Sequence, residues 1–527
     1  MTVRSSRRTL WTVAALALTC VAVVLTAIDT QRSSAPARAQ TQAGSAIVTP
    51  SGGGASARVA YMGPRHLRGE VTLRARARPG PQRIVAATFM LDDRPLGTDT
   101  SAPYTLDVDA SLLPGGQHRL RVDVVDRLGR RSSSAPVTVH TSGTPDGIFV
   151  ASPSHGFESA LAALAGGHVT VRLGPGRYPV AHVEVGSGAR LVGSGPATVL
   201  EATAPSWSLV TAHGTGVRIS DLAIDGAGRA ERGIGVADGS HDVRLQRLQI
   251  RGITDSGVES WGTHSGVSVQ DSVIDGGGAG GAGVGDRGSD DSSDSSVIRT
   301  QISGFRGWGV IFMQREYDRP HAAANALALD NRISAINDPT AADGTHEGAI
   351  WSGGVRAAII GNYVHDIGWD GIQTVGSSRD VTVVDNDIAR TITGIYLEHE
   401  TNGSLFADNV ITDVVTGINS EWRYDDAGSG TNTFAGNTIL RPTQTGIFID
   451  VAGNQNRLVD NTVVGGTGPA IVLQGASDNV VAGTAACARS GQPLVVQQSA
   501  HYDDGQPANS LRNRIDTSGR RPPCPAG

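Results

Sequence analysis

The sequence predicts an all-β protein in which a short β-sandwich precedes a long β-solenoid of stacked parallel strands. Three observations carry that prediction. Between residues 362 and 479 an asparagine followed two residues later by a β-branched residue recurs, as Asn362/Val364, Asn386/Ile388, Asn409/Ile411, Asn437/Ile439, Asn461/Val463 and Asn479/Val481, in steps of 24, 23, 28, 24 and 18 residues. About ten residues after most of these comes a glycine and an apolar residue, as in Gly371-Ile372, Gly394-Ile395, Gly417-Ile418 and Gly446-Ile447. A period of 20–30 residues with short β-branched runs and no helical pattern is the mark of a β-solenoid. Ahead of it, period-two runs separated by Gly and Pro turns read as antiparallel strands.

The totals agree. A chain of 527 residues exceeds one ordinary core, and 69 glycines with few aromatics suit slim, turn-rich coils. A net charge of −6 argues against nucleic acid as the main partner. All 44 basic residues are arginine.

In chain order, residues 1–39 read as an export signal or an N-terminal membrane anchor. Arg4, Arg7 and Arg8 precede an almost wholly apolar run over residues 11–28, and Ala37-Arg38-Ala39 suits signal peptidase. "SRRTLW" resembles a twin-arginine signal. The rest of the chain is therefore expected outside the cytoplasm, touching a membrane only through this segment if it is uncleaved. Residues 40–57, rich in Gly, Ser, Ala and Thr, read as a flexible linker. Residues 58–141 hold the alternating runs "EVTLRARA", "VAATFMLDD", "YTLDVDA", "HRLRVDVVD" and "PVTVHT", a β-sandwich of about eighty residues. That stretch resembles the bacterial Ig-like domain and reads as a spacer or adhesion module.

Residues 142–527 form the solenoid with an irregular C-terminal tail. "GFESALAALAGG" has helical spacing and would cap the first coil, whose backbone is otherwise an open edge. The register extends backwards through Leu222/Ile224, Leu248/Ile250, Ser272/Ile274, Thr300/Ile302 and Asn331/Ile333, giving roughly eleven coils and about 50 Å of stacked sheet. The asparagine suits a tight bend because it tolerates left-handed φ and its amide can bond the same residue one coil away. The glycine suits a corner too small for a side chain. These repeats resemble the right-handed parallel β-helix of the pectate-lyase-like superfamily, over residues ~147–515. The resemblance implies fold and leaves activity open, because this fold hosts many chemistries.

Counting from the Gly-apolar mark, positions two and four point outward. Position two reads Glu259, Ile311, Ile350, Gln373, Tyr396, Asn419, Phe448 and Val472. Position four reads Trp261, Met313, Ser352, Val375, Glu398, Glu421, Asp450 and Gln474. Three consecutive carboxylates, Glu398, Glu421 and Asp450, thus share a column and are the candidate catalytic groups, since stacked acids perturb one another's ionisation. Tyr396, His399, Trp422, Arg423, Gln373 and Asn419 beside them, and Glu259 and Trp261 farther along, are candidate glycan-binding residues, because aromatic faces stack on sugar rings. His365-Asp366 with Trp369-Asp370 read as corner residues, and His346-Glu347 stands at the end of a long loop. Asp286, Asp290, Asp291 and Asp294 offer oxygen ligands for Ca²⁺ without matching a known spacing; no other metal or cofactor is indicated. Cys487 and Cys524 form an even pair expected as a disulfide, Cys20 lying in the apolar segment.

The sets that mark particular members of the superfamily are absent. The paired aspartates with Gly-His-Gly and Arg-x-Lys of polygalacturonases are not found as a set. The epimerase Asp-Pro-His-Asp has Glu259-Ser260-Trp261-Gly262 as its nearest match, and no lysine exists to serve as a lyase base. The reading is an extracellular carbohydrate-active protein, foremost a polysaccharide-cleaving glycoside hydrolase. The alternatives are a non-catalytic glycan-binding or adhesion protein, and a polysaccharide lyase or epimerase. Clustered carboxylates favour hydrolysis of a neutral or basic glycan; a lyase or epimerase on acidic sugars would want arginine in their place.

Overall fold

The computed structural model describes residues 57–141, 147–150, 152–288, 292–312, 324–337, 348–376, 378–398, 400–421, 428–487, 494–501 and 507–516. The predicted signal or anchor, Cys20, Asp290, Asp291, Met313, His346, Glu347, His399, Trp422, Arg423, Tyr424 and Cys524 lie outside these residues, as does the side chain of Cys487.

Three parallel sheets of 15, 13 and 13 strands run the length of the solenoid, each strand pairing with its equivalent one coil away. The first sheet contains strands such as Thr382–Val384, the second Asp387–Ala389 and the third Thr393–Leu397. The strands amount to about thirteen coils, more than the eleven read from the sequence, because coils before Leu222 carry the fold without the asparagine or glycine marks. Inward positions fill one continuous apolar core from Val150 to Val481. The helix Phe157–Gly166 buries Phe157, Ala160 and Leu164 in the first coils.

The corner before the second sheet is built from two neighbouring residues with different tasks. Asn331, Asn362, Asn386, Asn409, Asn437 and Asn461 form a buried ladder. Each of the first five donates its backbone N–H and its Nδ2 to Oδ1 of the next, as from Asn409 Nδ2 to Asn437 Oδ1 at 2.9 Å. Ser272 accepts from the N–H of Leu248 in the same place, which explains how the register runs on without asparagine. The asparagines are not the left-handed residues, contrary to the expectation above. The residue before each of them takes the positive φ: Asp330, Gly361, Asp385, Asp408, Gly436 and Asp460. The asparagine supplies hydrogen bonds and its predecessor the turn.

Asn479 belongs elsewhere. It accepts from Asn456 N–H at 2.8 Å and donates to Asn513 Oδ1, in a second ladder of Asn432, Asn456, Asn479 and Asn513 at the entrance to the first sheet. Thr484 takes the position that follows Asn461: Ala485 after it donates to the carbonyl of Asn461 as Thr462 does to that of Asn437. That accounts for the short step of 18. The second ladder also carries the repeat beyond residue 480, where an irregular tail was expected: Val480–Ala482 pairs with Arg514–Ile515, and Ile471–Gln474 with Val495–Gln498.

The glycine mark is steric. A Cβ on Gly394 would stand 2.5 Å from Ile411 Cγ2 and 2.6 Å from the Gly417 carbonyl; Gly371 and Gly417 are equally enclosed.

Residues 58–141 form two packed sheets, with Arg58–Tyr61, Glu70–Arg78 and Thr105–Asp109 in one and Ile84–Leu91, Arg94–Asp99, Gly116–Asp126 and Val137–Thr141 in the other. Leu73, Phe89, Leu106, Leu120 and Val122 are among their core residues. The module lies against the first sheet of the solenoid. Ala86 and Val125 pack on Ile298, Leu327, Leu329, Ala358 and Ile360. Gln270 exchanges two hydrogen bonds with the backbone of Thr98, both 2.9 Å, and Arg131 pairs with Asp330. Asp109 and Arg172 form a buried ion pair across the seam.

Candidate functional site

The third sheet presents an outer face whose columns follow from strand register. One column runs Glu259, Gly285, Ile311, Trp351, Gln373, Tyr396, Asn419 and Phe448. It contains Trp351 where counting from Gly348 gave Ile350. In this coil Gly348 pairs with Asp370, so Ala349 holds the corner and every position shifts by one; Gly353 likewise replaces Ser352 in the neighbouring column. Ile350 and Ser352 face the interior.

Leu397, Ser420, Ile449 and Leu473 are in register on adjacent coils, so the residues that follow them, Glu398, Glu421, Asp450 and Gln474, form a second column at the strand ends. Backbone bonds continue the ladder there, from Glu421 N–H to the Leu397 carbonyl and from Asp450 N–H to the Ser420 carbonyl. Adjacent members therefore stand about 4.8 Å apart at the backbone. Each carboxylate is held from the neighbouring column or coil. Gln373 Nε2 donates to Glu398 Oε2 at 2.9 Å. The Tyr396 hydroxyl donates to Glu421 Oε2 at 2.6 Å. Gln474 Nε2 donates to Asp450 Oδ1 at 3.0 Å. Glu398 is buried, Glu421 and Asp450 half-buried. On either side of Tyr396, Gln373 Oε1 and Asn419 Oδ1 are shut from water with no hydrogen-bond partner among the described residues. Buried amide oxygens are rarely left in that state.

Towards the N-terminal end the same face becomes aromatic. Trp308 and Trp351 stack at 5.3 Å between ring centres, and Arg287 lies 5.6 Å from the Trp308 ring. Trp207 leans on Trp261 at 4.7 Å, with the Arg232 guanidinium 4.3 Å above Trp207. Glu259 is buried between Arg232, which bonds it, and Arg287 at 3.4 Å. Four of the chain's seven tryptophans thus occupy one sheet face. Sequence reading missed Trp207, Trp308 and Trp351; the scarcity of tryptophan was the signal available.

The remaining candidates resolve differently. Asp286 faces inward, in register with Ser260 and Phe312, and bonds His264 Nε2 at 2.6 Å, so it is no part of an exposed calcium loop. Asp294 bonds Asn325 Nδ2 at 3.1 Å. Among the described residues no three His, Cys, Asp or Glu side chains are grouped to hold a metal. His365 and Asp366 bond each other at 2.7 Å, and Arg390 holds Asp366 well below its ordinary value, to about 2; this is a corner ion pair away from the carboxylate column.

A model described as a right-handed β-helix region matches residues 321–486, and one described as a bacterial Ig domain matches residues 65–122. The solenoid is a right-handed β-helix, preceded by an Ig-like module. No curated protein sequence matches the chain. Among solved structures, it is similar to a family 28 exopolygalacturonase of Yersinia enterocolitica, at 12% identity over 89% of this chain and 100% of that one, with a TM-score of 0.47. It is similar to the A-module of mannuronan C-5 epimerase AlgE4 of Azotobacter vinelandii, at 18% identity over 53% and 89%, with a TM-score of 0.38. It is also similar to PfbA, a surface adhesin of Streptococcus pneumoniae, at 13% identity over 68% and 93%, with a TM-score of 0.41.

Proposed function

We propose that the protein is an extracellular carbohydrate-active enzyme, a glycoside hydrolase that cleaves a neutral polysaccharide on the outer face of its third sheet. The observation that carries this reading is the carboxylate column, Glu398, Glu421 and Asp450 on successive coils, each oriented by its own amide or phenol donor. A solenoid face has no structural need of three stacked acids, whereas glycoside cleavage needs two carboxyl groups at a fixed spacing. Adjacent coils give ~4.8 Å at the backbone, near the ~5–5.5 Å of enzymes that retain configuration.

Glu398 and Glu421 are the reacting pair. One protonates the glycosidic oxygen as the bond to the anomeric carbon breaks, while the other forms the glycosyl ester. Water then cleaves the ester, giving its proton to the first carboxylate. Gln373 and Tyr396 keep the Glu398 and Glu421 carboxylates in place. An acidic column repels uronic acids, which favours a neutral glycan.

The test is release of reducing ends by the full chain from a panel of soluble polysaccharides, followed by proton NMR of the first product. Cleavage of a neutral polymer with retained anomeric configuration is expected. Inversion would remove the adjacent pair, and cleavage confined to uronate polymers would overturn the charge argument.

A further inference from the structure

We infer that Trp207 and Trp261 form a sugar-stacking platform separate from the reacting carboxylates, and that the substrate is a polymer long enough to lie along the solenoid axis across both. This rests on reading the third sheet as the glycan-facing surface. Trp207 is 53% exposed, in a chain that buries most of its large apolar side chains. Its ring is nevertheless fixed. Trp261 packs on it at 4.7 Å and Arg232 lies over it at 4.3 Å. Arg232 is itself held by Glu259, by Glu231 at 3.2 Å and by Asp255 at 3.4 Å. A rigid, exposed indole presents a flat apolar surface at little entropic cost, which is what the C–H face of a pyranose requires. Glu231 and Asp255, paired with Arg232, offer carboxylate oxygens as acceptors for hydroxyls beside the ring.

The spacing sets substrate length. From the strand Ser206–Ala212, which carries Trp207, to Thr416–Ser420, which precedes Glu421, is eight coil steps on one sheet. At ~4.8 Å per step this is roughly 38 Å. A sugar residue advances a polymer by about one coil, so a chain touching both ends has on the order of eight residues. Trp308, Trp351 and Gln373 lie on the path between. Two linked contacts raise the effective concentration of a long chain at the column, an advantage that a short oligosaccharide cannot gain.

Affinity electrophoresis of the full chain tests this, in gels cast with soluble glucan, mannan or xylan, and with polygalacturonate as the acidic comparison. Retardation by at least one neutral polymer is expected. Trp207→Ala should weaken it about five- to tenfold, Trp207→Phe should restore most of it, and Glu421→Gln should leave it unchanged. On that polymer Trp207→Ala should raise KM, with kcat on short oligosaccharides unaltered. Retardation of Trp207→Ala equal to that of the parent overturns the platform, and so does a parent that no neutral polymer retards. Loss of retardation in Trp207→Ala supports the platform whether or not Glu421→Gln still turns over, which separates this inference from the assignment of the reacting pair.

Discussion

Asn409 shows what one residue does in this fold. Its Oδ1 accepts from the N–H and the Nδ2 of Asn386, and its own Nδ2 donates to Asn437 and to the carbonyl of Val383. All of this is buried. Asn409→Ala would leave the Asn386 N–H unpaired and its Nδ2 with only the carbonyls of Ile359 and Val384, and unfolding by denaturant should show a loss of about 3 kcal/mol. The ladder was legible because one letter recurs. The left-handed turn was visible too, because Asp or Gly precedes every ladder asparagine, as in Asp385, Asp408, Gly436 and Asp460; it was placed one residue late because asparagine tolerates the same φ. At the site, Tyr396→Phe keeps the ring and removes the hydroxyl that orients Glu421. Turnover on the polymer should fall about 10–100-fold with affinity little changed; parent-like kinetics would show that the phenol plays no part.

An element is a coil, and its geometry depends on what its corners will accept. Gly394→Ala drives a methyl into Ile411 and the Gly417 carbonyl, so a loss of about 1–3 kcal/mol or more is expected in the same unfolding assay. Counting from the glycine reads the coils correctly only where glycine holds the corner. In the coil of Gly348–Ser352 alanine holds it instead, so counting from Gly348 puts Ile350 where Trp351 stands. Another coil contains the inward pair of His264 and Asp286. Burial pulls the His264 pKa down, but the hydrogen bond and charge of Asp286 outweigh burial and raise it. A raised histidine contributes stability fully below its unfolded value near 6.5 and loses it as pH climbs through the higher folded value. The thermal midpoint of the parent should therefore decline over that upper range by more than that of His264→Gln. Equal declines would remove this pair as the cause.

For the whole molecule, the Ig-like module is part of the solenoid's surface, covering Ile298, Leu327, Leu329, Ala358 and Ile360 on the first sheet. Sequence alone suggested a spacer, because the pairing of Asp109 with Arg172 and of Thr98 with Gln270 spans residues too far apart for any pattern to link. Asp109→Asn leaves the Arg172 cation in the seam without its carboxylate, and a loss of about 3–5 kcal/mol is expected by chemical unfolding. With that side of the solenoid covered, the third sheet carries both the acid column and the aromatic stripe. The acids were legible from their shared offset; the stripe was not, since it needs Trp207, from a coil without the repeat's marks. The central claim is that the column is the reaction centre, and it is tested most directly by turnover of Glu421→Gln on the polymer that the parent cleaves best. The account predicts a fall of about 10²–10⁴-fold with gel retardation intact; near-normal turnover by this variant would contradict it.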